Sequence, residues 1–201
     1  MRGLDGTPGR PVGLPLEGLA RLVGHYVWLE RRLFEVLGGW VPSTADPRAK
    51  LAFQAHAGHH AWHAELWMER CPRLPHLEPR ALVVAPDPGL ADLFDRLAHC
   101  PDLAQRLASA YEMLVPQLID SYSLHLQRAS RVSEGPVVRA LELVLADERR
   151  DGAEGRSLLG ALVGTAKGQA AARDVRADLA GWLSRRSSDL AWDPVGPVPT
   201  S

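Results

Sequence analysis

Cysteine is nearly absent from this chain, which has two cysteines among 201 residues and no CxxC pair. Cys71 and Cys100 each lie beside a proline, and we expect both to be free thiols rather than zinc ligands or redox partners. The sequence also lacks the GxSxG, P-loop and HExxH motifs. These absences argue against the classical hydrolases. Any catalytic chemistry must therefore come from residues outside these motifs and other than the two cysteines.

The chain also has little net charge and no long apolar run. Its formal net charge is −1 at pH 7, so we expect no basic face that binds nucleic acid by electrostatic attraction alone. No apolar run approaches the roughly eighteen residues of a membrane span. Residues 1–15 contain four glycines and three prolines instead of the apolar segment of a signal peptide. We therefore predict a cytoplasmic protein without a membrane partner.

Helical periodicity runs through most of the sequence. Apolar residues recur at the i, i+3, i+4, i+7 spacing of helices that bury one stripe. Asp46 and Pro47 form a good helix start, because a capping residue is followed by proline at the first helical position. The predicted helices are four long ones over residues 16–40, 47–70, 101–128 and 136–163, and a short one over residues 88–99.

The predicted fold class is all-α. Between the second and third long helices lies a long connection, with five prolines between residues 71 and 88. The predicted organisation is a flexible N-terminal arm over residues 1–15, a helical bundle over residues 16–163, a C-terminal helical extension over residues 164–191 and a flexible tail over residues 192–201.

Half of the eight histidines lie within eight positions of the second helix, in the stretch AFQAHAGHHAWHAELW. The apolar arc that we predict to face the core here contains Ala52, Ala55, Trp62, Leu66 and Trp67. His59 and His63 fall inside that arc, whereas His56 lies close to it and His60 lies at its edge. Histidines on the inner side of a helix indicate either a metal site or an unusually polar core.

The other long helices add carboxylates that point inward. Glu30 lies within the apolar stripe of the first helix, and Glu148 lies near the centre of the stripe of the fourth, with Asp151 one turn later. Glu112, on the flank of the apolar side, is the candidate of the third helix. An isolated buried carboxylate is too costly unless a cation neutralises it, and divalent metals accept both carboxylate and imidazole ligands. Further polar groups expected in the core are Tyr111, Tyr122 and His125.

This pattern resembles the ferritin-like di-iron carboxylate superfamily, in which four long helices are joined with one long crossover. The resemblance covers about residues 16–163 and implies one Glu on each of helices one and three, and Glu-x-x-His on helices two and four. LVLADERRDGAEGRSLLGAL is similar to the DExxH signature of tRNA-modifying hydroxylases and rubrerythrin-like proteins, with Glu148 as the bridging Glu and Asp147 as the Asp that supports it. HHAWHAELW is similar to the helix-two signature, with His63 on the family's His.

Two positions depart from the family pattern. His60, or His59 if the register differs, stands where the family has Glu on helix two. Asp151 stands where the family has His on helix four. The loss of a bridging carboxylate favours zinc or copper, or a single ion, over an iron pair.

The residues and the resemblance together give one set of candidates. The expected metal ligands are Glu30, His59, His60, His63, Glu112, Glu148 and Asp151. The residues expected to support these ligands are His56, Asp147, Tyr111, Tyr122 and His125. We expect binding to depend less on His60 and Asp151 than on the other inward groups, Glu30, His63 and Glu148. The resemblance implies dinuclear iron as the cofactor, with zinc, manganese and copper as alternatives.

The function expected from the resemblance is that of a non-haem oxygenase or oxidase that acts on a small organic substrate. Two alternatives remain open. The chain could hold metal without turnover, as a storage protein or a degenerate di-iron protein. It could also be a structural bundle whose histidines are hydrogen-bonded core groups and which works through partners, for example as a homodimer.

Overall fold

A computed structural model describes residues 13–162 and, beyond them, residues 169, 170, 173, 174 and 177. The described part is all-helical, as predicted, and its one extended feature is an isolated bridge between Leu74 and Leu77. Within these residues, none of the helices combines the length and the hydrophobicity that a membrane span requires. The predicted arm over residues 1–15, the extension over residues 164–191 and the tail over residues 192–201 lie almost entirely outside the described residues.

The helices begin and end close to the predicted positions. They are α1 (Leu16–Trp40), α2 (Pro47–Arg70), α3 (Pro88–Ala98), α4 (Leu103–Ser109), α5 (Val115–Arg128) and α6 (Gly135–Leu162). A short 3₁₀ turn, Pro79–Leu82, lies in the connection between α2 and α3. The α2 start is the predicted one, because the Asp46 side chain accepts hydrogen bonds from the backbone N–H groups of Arg48 and Ala49.

The third long helix is interrupted, contrary to the prediction of one helix over residues 101–128. A π-helical turn, Ala110–Leu114, joins α4 to α5. Pro116 gives the physical reason, since proline has no N–H and its ring collides with the carbonyl four residues earlier, that of Glu112. The wider π turn separates these groups while the chain keeps its direction.

Aromatic contacts fix the directions of α1 and α2. The ring of Tyr26 lies 5.0 Å from that of Trp67, near the end of α2, and the ring of Trp40 lies 5.3 Å from that of Phe53, near its start. The two helices are therefore antiparallel. This arrangement places Glu30 of α1 opposite the middle of α2.

The α6 helix lies against α2 in the opposite direction. His56, in the first half of α2, contacts Glu154 in the second half of α6, and His63 contacts Asp147 one to two turns earlier in α6. The middle of α6 therefore faces the histidine-rich part of α2.

The π turn and α5 run in the same direction as α2. Tyr111 stacks beside Phe53 with 6.3 Å between ring centroids, and Tyr122 lies 5.5 Å from Trp67. Residues 71–102 thus return the chain to the end at which α2 begins. On the way, the carbonyl of Leu82 approaches Gly24 so closely that a Cβ there would lie 2.3 Å from the oxygen.

The ring of Tyr111 packs against Gly155 of α6. A Cβ at this position would lie 2.1 Å from Cγ of Tyr111, which is shorter than any van der Waals contact. The ring therefore packs directly on the backbone of α6, and its hydroxyl lies 2.7 Å from Nδ1 of His56.

We predict that Gly155→Ala lowers the free energy of unfolding by about 1–3 kcal/mol, because the rigid ring must move. Gly160→Ala on the same helix is the matched control, since no heavy atom lies within 4 Å of a Cβ at that position. The control should be neutral or stabilising by about 0.5–1 kcal/mol, as expected for Gly to Ala in a helix. Equal urea midpoints for the two variants would contradict the packing described.

Candidate metal centre

The inner face of α2 differs from the predicted arc. His56, His60 and His63 are buried, at the three- and four-residue spacing of one helix face. The prediction that Ala55 and Trp62 face the core is wrong, because Ala55 is exposed and Trp62 is 44% exposed. The large apolar ring of Trp62 biased the assignment, and the true arc runs along Ala49, Phe53, His56, His60, His63 and Trp67.

Four of the predicted ligands meet in the core. Glu30 of α1, His60 and His63 of α2, and Glu148 of α6 each offer a donor atom, and these four atoms lie within 4.8 Å of one another. Each residue is at most 1% exposed. His60 therefore belongs with the other three, although we expected it to matter less. We call this group the buried quartet.

Both histidines of the buried quartet present Nδ1 to the carboxylates. Nδ1 of His60 lies 2.6 Å from Oε2 of Glu30 and 3.2 Å from Oε1 of Glu148. Nδ1 of His63 lies 3.2 Å from Oε1 of Glu148 and 3.6 Å from Oε2 of Glu30. Two nitrogens and two oxygens thus surround one point between α1, α2 and α6.

Several of these atoms have no hydrogen bond. Both carboxylate oxygens of Glu148 and Nδ1 of His63 are buried without a partner in hydrogen-bonding geometry. A buried carboxylate without hydrogen bonds is costly, whereas a divalent cation neutralises the charge and bonds to the oxygen directly. The mixed donor set, two imidazoles and two carboxylates, is one that iron and zinc accept. The residues present therefore fit a metal ion.

Neighbouring side chains hold members of the buried quartet in place. The Tyr122 hydroxyl donates to Oε1 of Glu30 at 2.6 Å, and it accepts a hydrogen bond from Nε1 of Trp67 at 3.2 Å. Nε2 of His63 lies 3.4 Å from Oδ2 of Asp147. When one ring nitrogen of a histidine binds a metal, a carboxylate hydrogen-bonded to the other nitrogen fixes the ring orientation and makes the metal-binding nitrogen more basic. Asp147 and Tyr122, two of the residues expected to support the ligands, thus contact His63 and Glu30 directly.

Without a metal, the buried quartet balances its charge with protons. Burial raises the pKa of the Glu30 carboxyl, but the positive charge of His63 and the hydrogen bond with His60 outweigh it and lower the pKa to about 2. Burial lowers the pKa of His63, yet the Glu30 and Glu148 carboxylates raise it to about 10. The same carboxylates raise the pKa of His60 well above its usual value against the effect of burial. Two protonated histidines therefore neutralise two carboxylates.

The remaining predicted ligands lie elsewhere. Nδ1 of His59 lies 2.7 Å from Oδ2 of Asp151, so these two residues pair with each other one turn away from the buried quartet. His56 contacts both Asp151 and Glu154, and burial lowers its pKa. Glu154 was missed in the sequence, although its position one turn after Asp151 on the same face could have suggested it.

The third helix contributes no donor to the buried quartet. Glu112, the expected ligand, is partly exposed in the π turn. His125 is buried at the far end of α5, where Nδ1 lies 3.1 Å from the Tyr26 hydroxyl. Burial lowers the pKa of His125 to about 4, which keeps the ring neutral. The helix instead provides Tyr122, which holds Glu30.

No protein-family model, curated protein or solved structure matches this chain. The function therefore has to be inferred from the chemistry and geometry of the site.

We predict that the metal-free protein loses stability as pH rises from 6.5 to 8.5. His60 and His63 have raised pKa values in the fold, so their contribution is complete below the unfolded value of 6.5 and falls as pH rises toward the folded pKa, about 10 for His63. Each histidine can contribute up to about 1.4 kcal/mol per pH unit. Urea unfolding at several pH values after EDTA treatment measures the slope.

The zinc-loaded protein is the control for this measurement. Zinc binds the deprotonated nitrogens, so its presence should remove or reverse the slope over the same range. His25, His56 and His125, whose pKa values are lowered in the fold, have the opposite effect, which fades within about one pH unit above 6.5, so the slope is read from pH 7.5 to 8.5. Unfolding free energies of the metal-free protein that are independent of pH here would contradict the charge balance.

Proposed function

We propose that this chain is a metal-dependent oxidoreductase that binds iron in the buried quartet and uses it to oxidise a small organic substrate with dioxygen. The observation that carries the proposal is the meeting of four buried donor atoms, two of histidine and two of glutamate, within 4.8 Å of one another. Such a group is costly to bury for purely structural reasons, and a metal ion resolves the cost.

We further propose that the fold is a ferritin-like four-helix bundle with a long crossover. The directions of α1, α2, α5 and α6 support this proposal, because α2 and α5 run in parallel and are separated by a long connection. In ferritin-like proteins, metal ligands project inward from facing helices. Here the ligands come from the middle of α1, α2 and α6.

The number of ligands favours iron over zinc for catalysis. Four protein donors complete a tetrahedral zinc site, which is typical of structural zinc. The same four donors leave two positions open on a six-coordinate ion, and non-haem iron oxygenases require open positions. Iron with open positions supplies the ability to reduce dioxygen. The buried quartet has donors for one ion, and the dinuclear centre implied by the resemblance would need ligands beyond these four.

The protein's own residues would tune and protect this site. Tyr122 and Asp147 orient Glu30 and His63 through hydrogen bonds on the side away from the ion. The rings of Tyr26, Trp67 and Tyr122 pack on one another beside the buried quartet and exclude water from it. Exclusion of water strengthens the electrostatic interactions in the site and limits side reactions.

A protein that holds metal without turnover is the second candidate. The observation that favours it is burial, since each of the four ligands is at most 1% exposed. A substrate would have to reach the ion between helices, whereas storage or structural use requires only the ion.

We predict that the metal-free protein takes up Fe(II) under anaerobic conditions and consumes dioxygen when air is admitted. Glu148→Gln should weaken Fe(II) binding at the buried quartet by at least about tenfold, because a ligand charge is lost. Glu142→Gln is the matched control, since Glu142 lies on α6 and pairs with Arg131 at the surface. Dialysis with metal analysis measures binding, and an oxygen electrode measures consumption.

Each outcome separates the candidates. Iron uptake that Glu148→Gln reduces, with oxygen consumption beyond the amount that oxidises the added Fe(II) when a reductant is present, supports the oxidoreductase. Uptake with no oxygen consumption beyond that amount overturns the oxidoreductase and supports metal holding. Fe(II) binding that Glu148→Gln leaves unchanged overturns the assignment of the ligands.

A further inference from the structure

A second group of metal-ligating side chains lies one helical turn from the buried quartet. It consists of His56 and His59 on α2 and Asp151 and Glu154 on α6, and we call it the outer cluster. Oδ2 of Asp151 lies 2.7 Å from Nδ1 of His59, and Oδ1 of Asp151 lies 3.6 Å from Nε2 of His56. Nε2 of His56 also lies 3.4 Å from Oε2 of Glu154. None of these four residues belongs to the buried quartet.

The charges of the outer cluster do not balance among the described residues. Asp151 is only 3% exposed, and its ion-pair partners in that part of the chain are His56 and His59. No lysine or arginine within the described ranges pairs with Asp151 or Glu154. In the described part of the chain the two carboxylates therefore face two imidazoles and no lysine or arginine, and a divalent cation would neutralise them.

Two donor-atom distances in the outer cluster match those around a small divalent ion. With bonds of about 2.0–2.2 Å, tetrahedral ligand atoms lie roughly 3.4 Å apart. The contacts of Nε2 of His56 with Asp151 and Glu154 are close to that value. The four donor atoms do not all lie as close together as those of the buried quartet, so the partly exposed side chains of His59 and Glu154 have to turn toward His56 and Asp151 to complete the site. The residues of each pair are three apart on their helix, so both side chains project on one face.

The structure also fixes one ligand of the outer cluster in advance. The Tyr111 hydroxyl lies 2.7 Å from Nδ1 of His56 and can accept a hydrogen bond from the N–H at that nitrogen, which leaves the lone pair of Nε2 free to bind a metal. The ring of Tyr111 is itself held against Gly155 of α6. The remaining ligands are more open, because the side chains of His59 and Glu154 are 39% and 57% exposed.

We propose that His56, His59, Asp151 and Glu154 form a second divalent-metal site that is open to solvent and exchanges its ion faster than the buried quartet. The site stands on its own residues and does not depend on the proposed oxidoreductase activity. Its two histidines and two carboxylates suit zinc or iron(II). It lies about one helical turn, roughly 5 Å along the axes of α2 and α6, from the buried ligands.

Zinc is the probe for this proposal. Metal-free full-length protein is loaded with Zn(II) and desalted, and release to a chromogenic chelator is followed over time. The wild-type protein should hold about two ions per chain and release them in a fast and a slow phase, because exposed ligands exchange first. The double variant His59→Ala with Glu154→Gln should lose the fast ion and keep the slow one. Both residues are partly exposed, so the variant should fold, which circular dichroism checks.

Two controls assign the phases. The double variant His76→Ala with Glu17→Gln removes an exposed His–Glu pair of 2.8 Å elsewhere and should keep both phases. Glu148→Gln should lose the slow phase alone, so failure of the buried quartet is distinguishable from failure of the outer cluster. One slow phase in the wild type would overturn the proposal. A fast ion that survives His59→Ala with Glu154→Gln would also overturn it, as adventitious zinc binding.

Discussion

Two carboxylates buried in the helical core are the constraint on which this structure depends. Glu30 and Glu148 lie on different helices, are almost completely buried, and face each other across His60 and His63. An uncompensated charge at such a site costs several kcal/mol, which is a large part of the stability of a domain. Protons on the two histidines or one divalent ion can neutralise the pair. The same four side chains therefore link the stability of the fold to pH and, in the proposed function, to metal binding.

The surrounding helices hold this group and the outer cluster through two tyrosines. Tyr122 of α5 donates to Glu30, and Tyr111 of the π turn bonds to His56. The third long segment thus supplies hydrogen bonds where the family that the sequence resembles would supply a carboxylate ligand. The π turn before Pro116 contains Tyr111, and Gly155 leaves room for its ring. The buried quartet has no donor from this segment, which agrees with the proposed site for a single ion.

Much of the fold could be predicted from local signals in the sequence. The Asp46–Pro47 start of α2 was predicted because its cap uses only neighbouring residues. The interruption of the third helix was missed, because the effect of Pro116 depends on a π turn that tertiary packing must stabilise. The exposed part of α2 was misassigned because Trp62 is apolar yet lies outside the core. The periodicity of apolar residues identifies the buried face of a helix, but a single large apolar residue can shift the predicted centre of that face.

Part of the candidate site could also be predicted from the periodicity of apolar residues. Glu30, His63 and Glu148 were identified because each interrupts a clear apolar stripe. The sequence could not separate His60 from His59, since the choice depends on how α2 is rotated against α1 and α6. Nor could it divide the predicted ligands between the buried quartet and the outer cluster, because that division depends on contacts between α2 and α6.

Anomalous diffraction from crystals of the zinc-loaded protein tests the central claim most directly. We expect an anomalous peak at the centre of the buried quartet, with Nδ1 of His60 and His63 and a carboxylate oxygen of Glu30 and Glu148 at about 2.0–2.2 Å from the ion. A structure of the zinc-loaded protein in which these four side chains keep their direct ion pairs, with no peak between them, would contradict it.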